Sequence, residues 1–89
     1  MPRVLVPPPY RGPTQGQGEI AVAGGTVRAC LEDAGRQFPG LLEQVLDAGG
    51  NMHKFVNVFV NGDEIERDAL DQAVSENDDV EILAAIAGG

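Results

Sequence analysis

Hydrophobic and polar positions recur along the chain with two different periods, first that of a strand and then that of a helix. Residues 3–6 read as a short strand ended by Pro7, Pro8 and Pro9, which have no N–H to give to a ladder. A loop rich in Gly, Pro and Gln follows over 10–18. Residues 19–23 alternate polar and apolar as a half-buried strand does, and Gly24 and Gly25 then turn the chain. These two strands form a hairpin with a long connection. Thr26 is placed to cap a helix whose apolar positions Val27, Cys30, Leu31, Ala34 and Phe38 share one face. Glu32, Asp33, Arg36 and Gln37 take the opposite face, and Pro39 with Gly40 stops the helix.

A short helical turn is expected over 41–46 and a loop over 47–51. Residues 54–60 form the clearest strand, β-branched and aromatic, with the turn signal Asn61, Gly62 directly after it. Ile65 falls on a short strand, 69–74 on a brief helical turn, 77–79 on a loop and 80–86 on the last strand. The order predicts an α+β layer, a mixed sheet of four to five strands packed on one main helix. It is the element order of the β-grasp, or ubiquitin-like, fold. A single domain over 1–89 with a flexible C-terminal tail over 84–89 is expected.

Within the clear strand, Val56, Val58 and Val60 alternate with Phe55, Asn57 and Phe59. The valine row faces the helix, which puts Phe59 on the outer face. On the last strand Val80 and Ile82 point inward while Glu81 and Leu83 point outward. Phe59 and Leu83 then form an apolar docking patch for a partner. The alternative is that Phe59 belongs to a second small core beneath a loop.

Composition narrows the classes. With 89 residues, 43% hydrophobic and 22% charged, the chain suits one small globular domain. Its net charge of −8 is uneven: residues 50–89 carry nine acids against Lys54 and Arg67. That excess argues against nucleic acid and anionic membranes. It serves either docking onto a basic protein or solubility alone. No segment reads as a leader, and no apolar run approaches the roughly 18 residues of a bilayer span. Cys30 is the only cysteine, so no internal disulfide forms. A reducing, cytoplasmic location is expected.

Side chains that suggest chemistry have plainer readings. Cys30 invites a persulfide role, yet it lies on the apolar helix face, where a free cysteine behaves as a small hydrophobe. His53 has no second His and no nearby Cys, so neither a metal site nor a catalytic dyad is supported. Gly24, Gly25 and Thr26 precede a helix but lack the lysine and spacing of a phosphate loop. Glu64, Glu66, Asp68 and Asp71 form either a solvated surface or a steering patch for a basic partner.

The run Val80, Glu81, Ile82, Leu83, Ala84, Ala85, Ile86, Ala87, Gly88, Gly89 resembles the C-terminus of the MoaD/ThiS sulfur carriers, and 55–62 resembles the family's central strand and turn. The resemblance implies that an E1-like (MoeB/ThiF-type) adenylyltransferase uses ATP to adenylate Gly89. A sulfur donor then converts the acyl-adenylate to a thiocarboxylate. The carrier needs no catalytic side chain, bound cofactor or metal. Ile86, Ala87 and Gly88 act as a slender tail, and glycine tolerates a narrow channel. The strand entry at 53–57 and the Ala87, Gly88, Gly89 ending are similar to the branch that feeds cysteine synthesis. For that branch the acceptor is a PLP-dependent cysteine synthase, and a metal-dependent hydrolase releases the product. Thiazole, molybdopterin, thiolated-tRNA and thiosugar pathways remain open as alternatives, as do isopeptide conjugation through Gly89 and a plain interaction role. The loop over 7–18 departs from the cysteine branch.

Overall fold

Period-two alternation over the central strand buries Val56, Val58 and Val60 on one face, and the structure is built outward from that row. The computed structural model describes residues 1–84. The strands are β1 (Arg3–Leu5), β2 (Glu19–Ala21), β3 (Val56–Val60), β4 (Asp63–Glu64) and β5 (Asp79–Ala84), and the helices are α1 (Val27–Gln37) and α2 (Leu42–Val45). One sheet holds all five strands in the order β2-β1-β5-β3-β4. The β1–β5 pair is parallel and the others antiparallel, so the sheet is mixed. This is the β-grasp arrangement. Val4, Ile20, Val80 and Ile82 join the valine row beneath α1, which contributes Val27, Cys30, Leu31 and Ala34. Among the described residues no helix is long and apolar enough to cross a membrane.

α1 begins where expected. Thr26 Oγ1 accepts from the Ala29 N–H at 3.1 Å, satisfying one of the first-turn donors. The Val27 N–H donates to Gln72 O at 3.0 Å and the Arg28 N–H to Leu70 O at 2.8 Å. These bonds correct the helical turn expected over 69–74. That segment is not helical, because its carbonyls turn outward to the helix end. The same bonds leave no free donors there for a phosphate, in keeping with the sequence reading of Gly24, Gly25 and Thr26.

Other elements are shorter than their patterns. The strand expected over 54–60 starts at Val56, because the Val56 N–H closes a turn onto His53 O. The second strand ends at Ala21 rather than 23. Ile65 follows β4 instead of lying in it, although its N–H still reaches Val58 O at 3.0 Å. Asn61 and Gly62 both take positive φ (51° and 87°) and join β3 to β4 in the tight turn their pair signalled. β5 starts at Asp79, and the expected continuation over 85–86 lies outside the described residues, as does the tail beyond Ala84.

Candidate functional site

The outer sheet face carries the candidate docking residues. Phe59 pairs across the ladder with Glu81, and Asn57 with Leu83. Phe59 and Leu83 are therefore diagonal neighbours on one face, within reach of each other. Leu83 is 37% exposed and Phe59 is half-buried. Phe59 is flanked by Glu64 on β4 and Glu81 on β5. Leu5 lies opposite Glu81 on the other side, so that carboxylate stands between two apolar residues.

Phe55, which the alternation pattern placed in a strand, lies just outside it and is 49% exposed. It precedes Val56, whose ladder partner is Ala84, so it stands at the root of the tail. Lys54 Nζ lies 5.5 Å from its ring centroid, in cation–π range. The signal for Phe55 was its place in the row with Asn57 and Phe59. The turn at 53–56, which exposes it, leaves no mark in the alternation.

Arg67 holds that turn. Its guanidinium donates to Val56 O (2.9 Å), His53 O (2.6 Å) and Met52 O (3.2 Å). Sequence reasoning assigned Arg67 only a charge, because its carbonyl partners come from a segment remote in the chain. Arg67→Ala is expected to lower stability by about 1–2 kcal/mol, given the exposure of the side chain. Arg67→Lys should restore only part of the loss, since an ammonium lacks the planar fork. Urea denaturation of the three proteins measures both effects, and equal midpoints would remove the clamp from the account.

Around this face the charges are partly tied. Arg3 meets Asp79 in a two-bond pair (2.9 and 3.0 Å) and reaches Glu19 at 3.2 Å. The hydrogen bonds and charge of Asp79 hold the Arg3 guanidinium firmly protonated. The Ser75 N–H and the Asn61 amide keep the Asp78 carboxyl below its ordinary range. Of the acidic run, Glu64, Glu66 and Asp68 are exposed, and Asp71 pairs with Arg28 at 3.1 Å.

Cys30 is fully buried, with Sγ 3.8 Å from Gly24 O. Burial pushes its thiol pKa up, and Asp33 and Asp78 add to the shift. The thiolate that sulfur chemistry needs is therefore disfavoured. His53 sits at the strand entrance, its ring Nε2 2.7 Å from Glu43 O and its backbone N–H donating to Val45 O. Among the described residues, no group of three or more His, Cys, Asp or Glu could hold a metal. Ile86, Ala87, Gly88 and Gly89 lie outside the described residues. Ala84, the last described position, is held on β3 opposite Val56.

The model of the ThiS family matches residues 13–89. The chain belongs to the ThiS family. It is 34% identical over 97% of its length to the sulfur carrier protein CysO of Mycobacterium bovis, covering 96% of that protein. Among solved structures, the CysO of Mycobacterium tuberculosis matches with a TM-score of 0.88 and 30% identity, over 97% of this chain and 100% of that one. The BexX/CysO complex of Amycolatopsis orientalis matches with a TM-score of 0.90 and 28% identity, over 100% of both chains. Proteins of this family are ubiquitin-like sulfur carriers, acted on by enzymes and not enzymes themselves.

Proposed function

We propose that this carrier works through the Gly89 carboxylate, which an E1-like (MoeB/ThiF-type) enzyme adenylates and a sulfur donor converts to a thiocarboxylate. The observation that supports this most is the 34% identity, over nearly the whole chain, to a protein named as a sulfur carrier. The chemistry needs an activation step, because a carboxylate oxygen is a poor leaving group. Attack of Gly89 on the α-phosphorus of ATP forms the acyl-adenylate and expels pyrophosphate. Sulfide, as HS⁻, then adds to the carbonyl, AMP departs with the acyl oxygen's bond to carbon broken, and loss of the proton leaves –C(O)S⁻. The ATP belongs to the activating enzyme, and this chain supplies the acyl group and the body that aims it.

The acceptor we infer is a PLP-dependent cysteine synthase, with a metal-dependent hydrolase releasing the product. Similarity to CysO over 97% of the chain favours this acceptor. The body is recognised through Phe59 and Leu83, joined by Phe55 at the tail root. The BexX/CysO complex supports a docking role for this fold in that pair of proteins. Phe59→Ala and Phe55→Ala should each weaken binding to the activating enzyme about tenfold while leaving the fold intact. Calorimetry measures the affinities, and unchanged values would remove the patch from the account.

The function itself is tested by incubating the protein with ATP, a sulfide source and its activating enzyme. Mass spectrometry should show one oxygen exchanged for sulfur in the intact chain, and after digestion in its C-terminal peptide. Lysine-linked conjugates without that exchange would instead identify a protein modifier.

A further inference from the structure

β5 lies between β1 and β3, yet its two sides are unequally satisfied. On the β3 side the ladder runs from Val60↔Val80 to Val56↔Ala84. On the β1 side it stops at Leu5↔Glu81. The Arg3 N–H donates to Asp78 O, which sets the alternation: Arg3 and Leu5 turn their peptide groups toward β5, and Pro7 comes next in that series. Pro7 has no N–H to give to Ile82 O. Its own carbonyl accepts from the Tyr10 N–H at 3.0 Å instead of from Ala84. Among the described residues, the Ile82 carbonyl and the Ala84 N–H therefore face a gap. The gap opens into a cleft of about 370 Å³ lined by Leu5, Pro7, Pro8, Arg11, Glu81 and Leu83.

Elsewhere among the described residues the sheet borders are partly covered or end in a short acidic strand. On β2, Gln37 Nε2 donates to Ala21 O at 2.8 Å, and beyond it Asp33 accepts from the Ala23 N–H at 3.0 Å. Beside β3, the Ile65 N–H and the Arg67 guanidinium occupy the carbonyls of Val58 and Val56. The outer strand β4 is two acidic residues long. Covered or short charged edges discourage strand addition. Against that pattern, the opening beside β5 is specific. Its wall is held in place, since Arg11 Nε donates to Val6 O at 2.9 Å.

We propose that this cleft receives an extended segment of a protein partner, which adds beside β5 as a short parallel strand where β1 leaves off. One residue of that segment gives its N–H to Ile82 O and takes the Ala84 N–H on its carbonyl, the pattern of a parallel ladder. The side chain of that same residue, opposite Leu83 on the outer face, is aliphatic and packs on Leu5, Pro7 and Leu83. A Lys or Arg side chain meets Glu81, whose carboxylate has no hydrogen-bond or ion-pair partner among the described residues. The net charge of −8 favours the same sign of partner. This deepens the carrier reading by stating how the body is gripped, but it does not depend on which sulfur acceptor follows.

The test uses the full chain, isotope-labelled for NMR, and the synthetic peptide acetyl-Lys-Ile-Val-Ile-Lys-amide as probe. Titration should shift the Ile82, Leu83 and Ala84 amides and slow hydrogen exchange at Ala84 at least about tenfold. A twin peptide N-methylated at its central valine should lose the effect, and Glu81→Gln should weaken it. Ala84→Pro should abolish it without unfolding the sheet, because odd-numbered residues of β5 bond to β3 and the Ala84 N–H does not. No shift at Ile82 and Ala84 up to the solubility limit of the peptide would overturn the proposal, as would equal binding by the twin. Protection of Ala84 that rises with protein concentration alone would also overturn it and make a second copy the occupant. None of these readouts depends on whether Gly89 takes up sulfur.

Discussion

Appending one residue after Gly89 is expected to abolish sulfur loading, while Cys30→Ala leaves loading unchanged. Extension moves the carboxylate onto a side-chain-bearing residue and turns the Gly89 carbonyl into an amide, which ATP cannot activate. No side chain among the described residues offers a substitute. Cys30 is the only thiol, and the core holds it with its pKa raised by burial. Removing its sulfur costs packing, on the order of 1 kcal/mol, and takes away no reactive group. Intact-mass spectrometry after incubation with the activating enzyme, ATP and sulfide measures both variants. Sulfur gained by the extended chain would overturn the assignment to Gly89, and sulfur lost on Cys30→Ala would transfer the role to the thiol.

Ile82→Ala should cost about 3 kcal/mol of stability, and Leu83→Ala under about 0.5 kcal/mol, although the two residues are adjacent. Ile82 is 0% exposed and sits in the common core of the sheet and α1. Its truncation leaves a cavity that close-packed neighbours fill poorly. Leu83 points to the opposite face and is 37% exposed. For a domain of this size, 3 kcal/mol is a large share of the usual 5–15 kcal/mol. Urea denaturation should show an earlier midpoint for Ile82→Ala at an unchanged slope. Equal midpoints for the two variants would mean that the register of β5 is wrong by one residue, since such a slip exchanges the two faces.

Local rules made much of this fold legible. The valine row of β3, the Thr26 cap and the Asn61, Gly62 turn each depend on residues close in sequence, and each appears as its pattern implied. The failures share a cause in long-range bonds. Residues 69–74 have helical spacing, but Leu70 and Gln72 direct their carbonyls to the first turn of α1. The exposure of Phe55 follows from the 53–56 turn, and the Arg67 bonds that hold that turn reach across eleven or more residues. At the candidate site, the sequence placed Phe59 and Leu83 on the outer face, and the ladder register made them diagonal neighbours. The missing donor of Pro7 was plain in the sequence, but the carbonyl it leaves open was not, because that follows only from the parallel register of β1 and β5.

The central position of β5 has a mechanical consequence. In the proposed carrier role, a pull on the chain beyond Ala84 is a load along the axis of β5. The bonds to β1 and β3 lie across that axis and are strained together in shear, rather than broken one at a time as at a peeled border strand. Such a load meets the bonds to both neighbours at once.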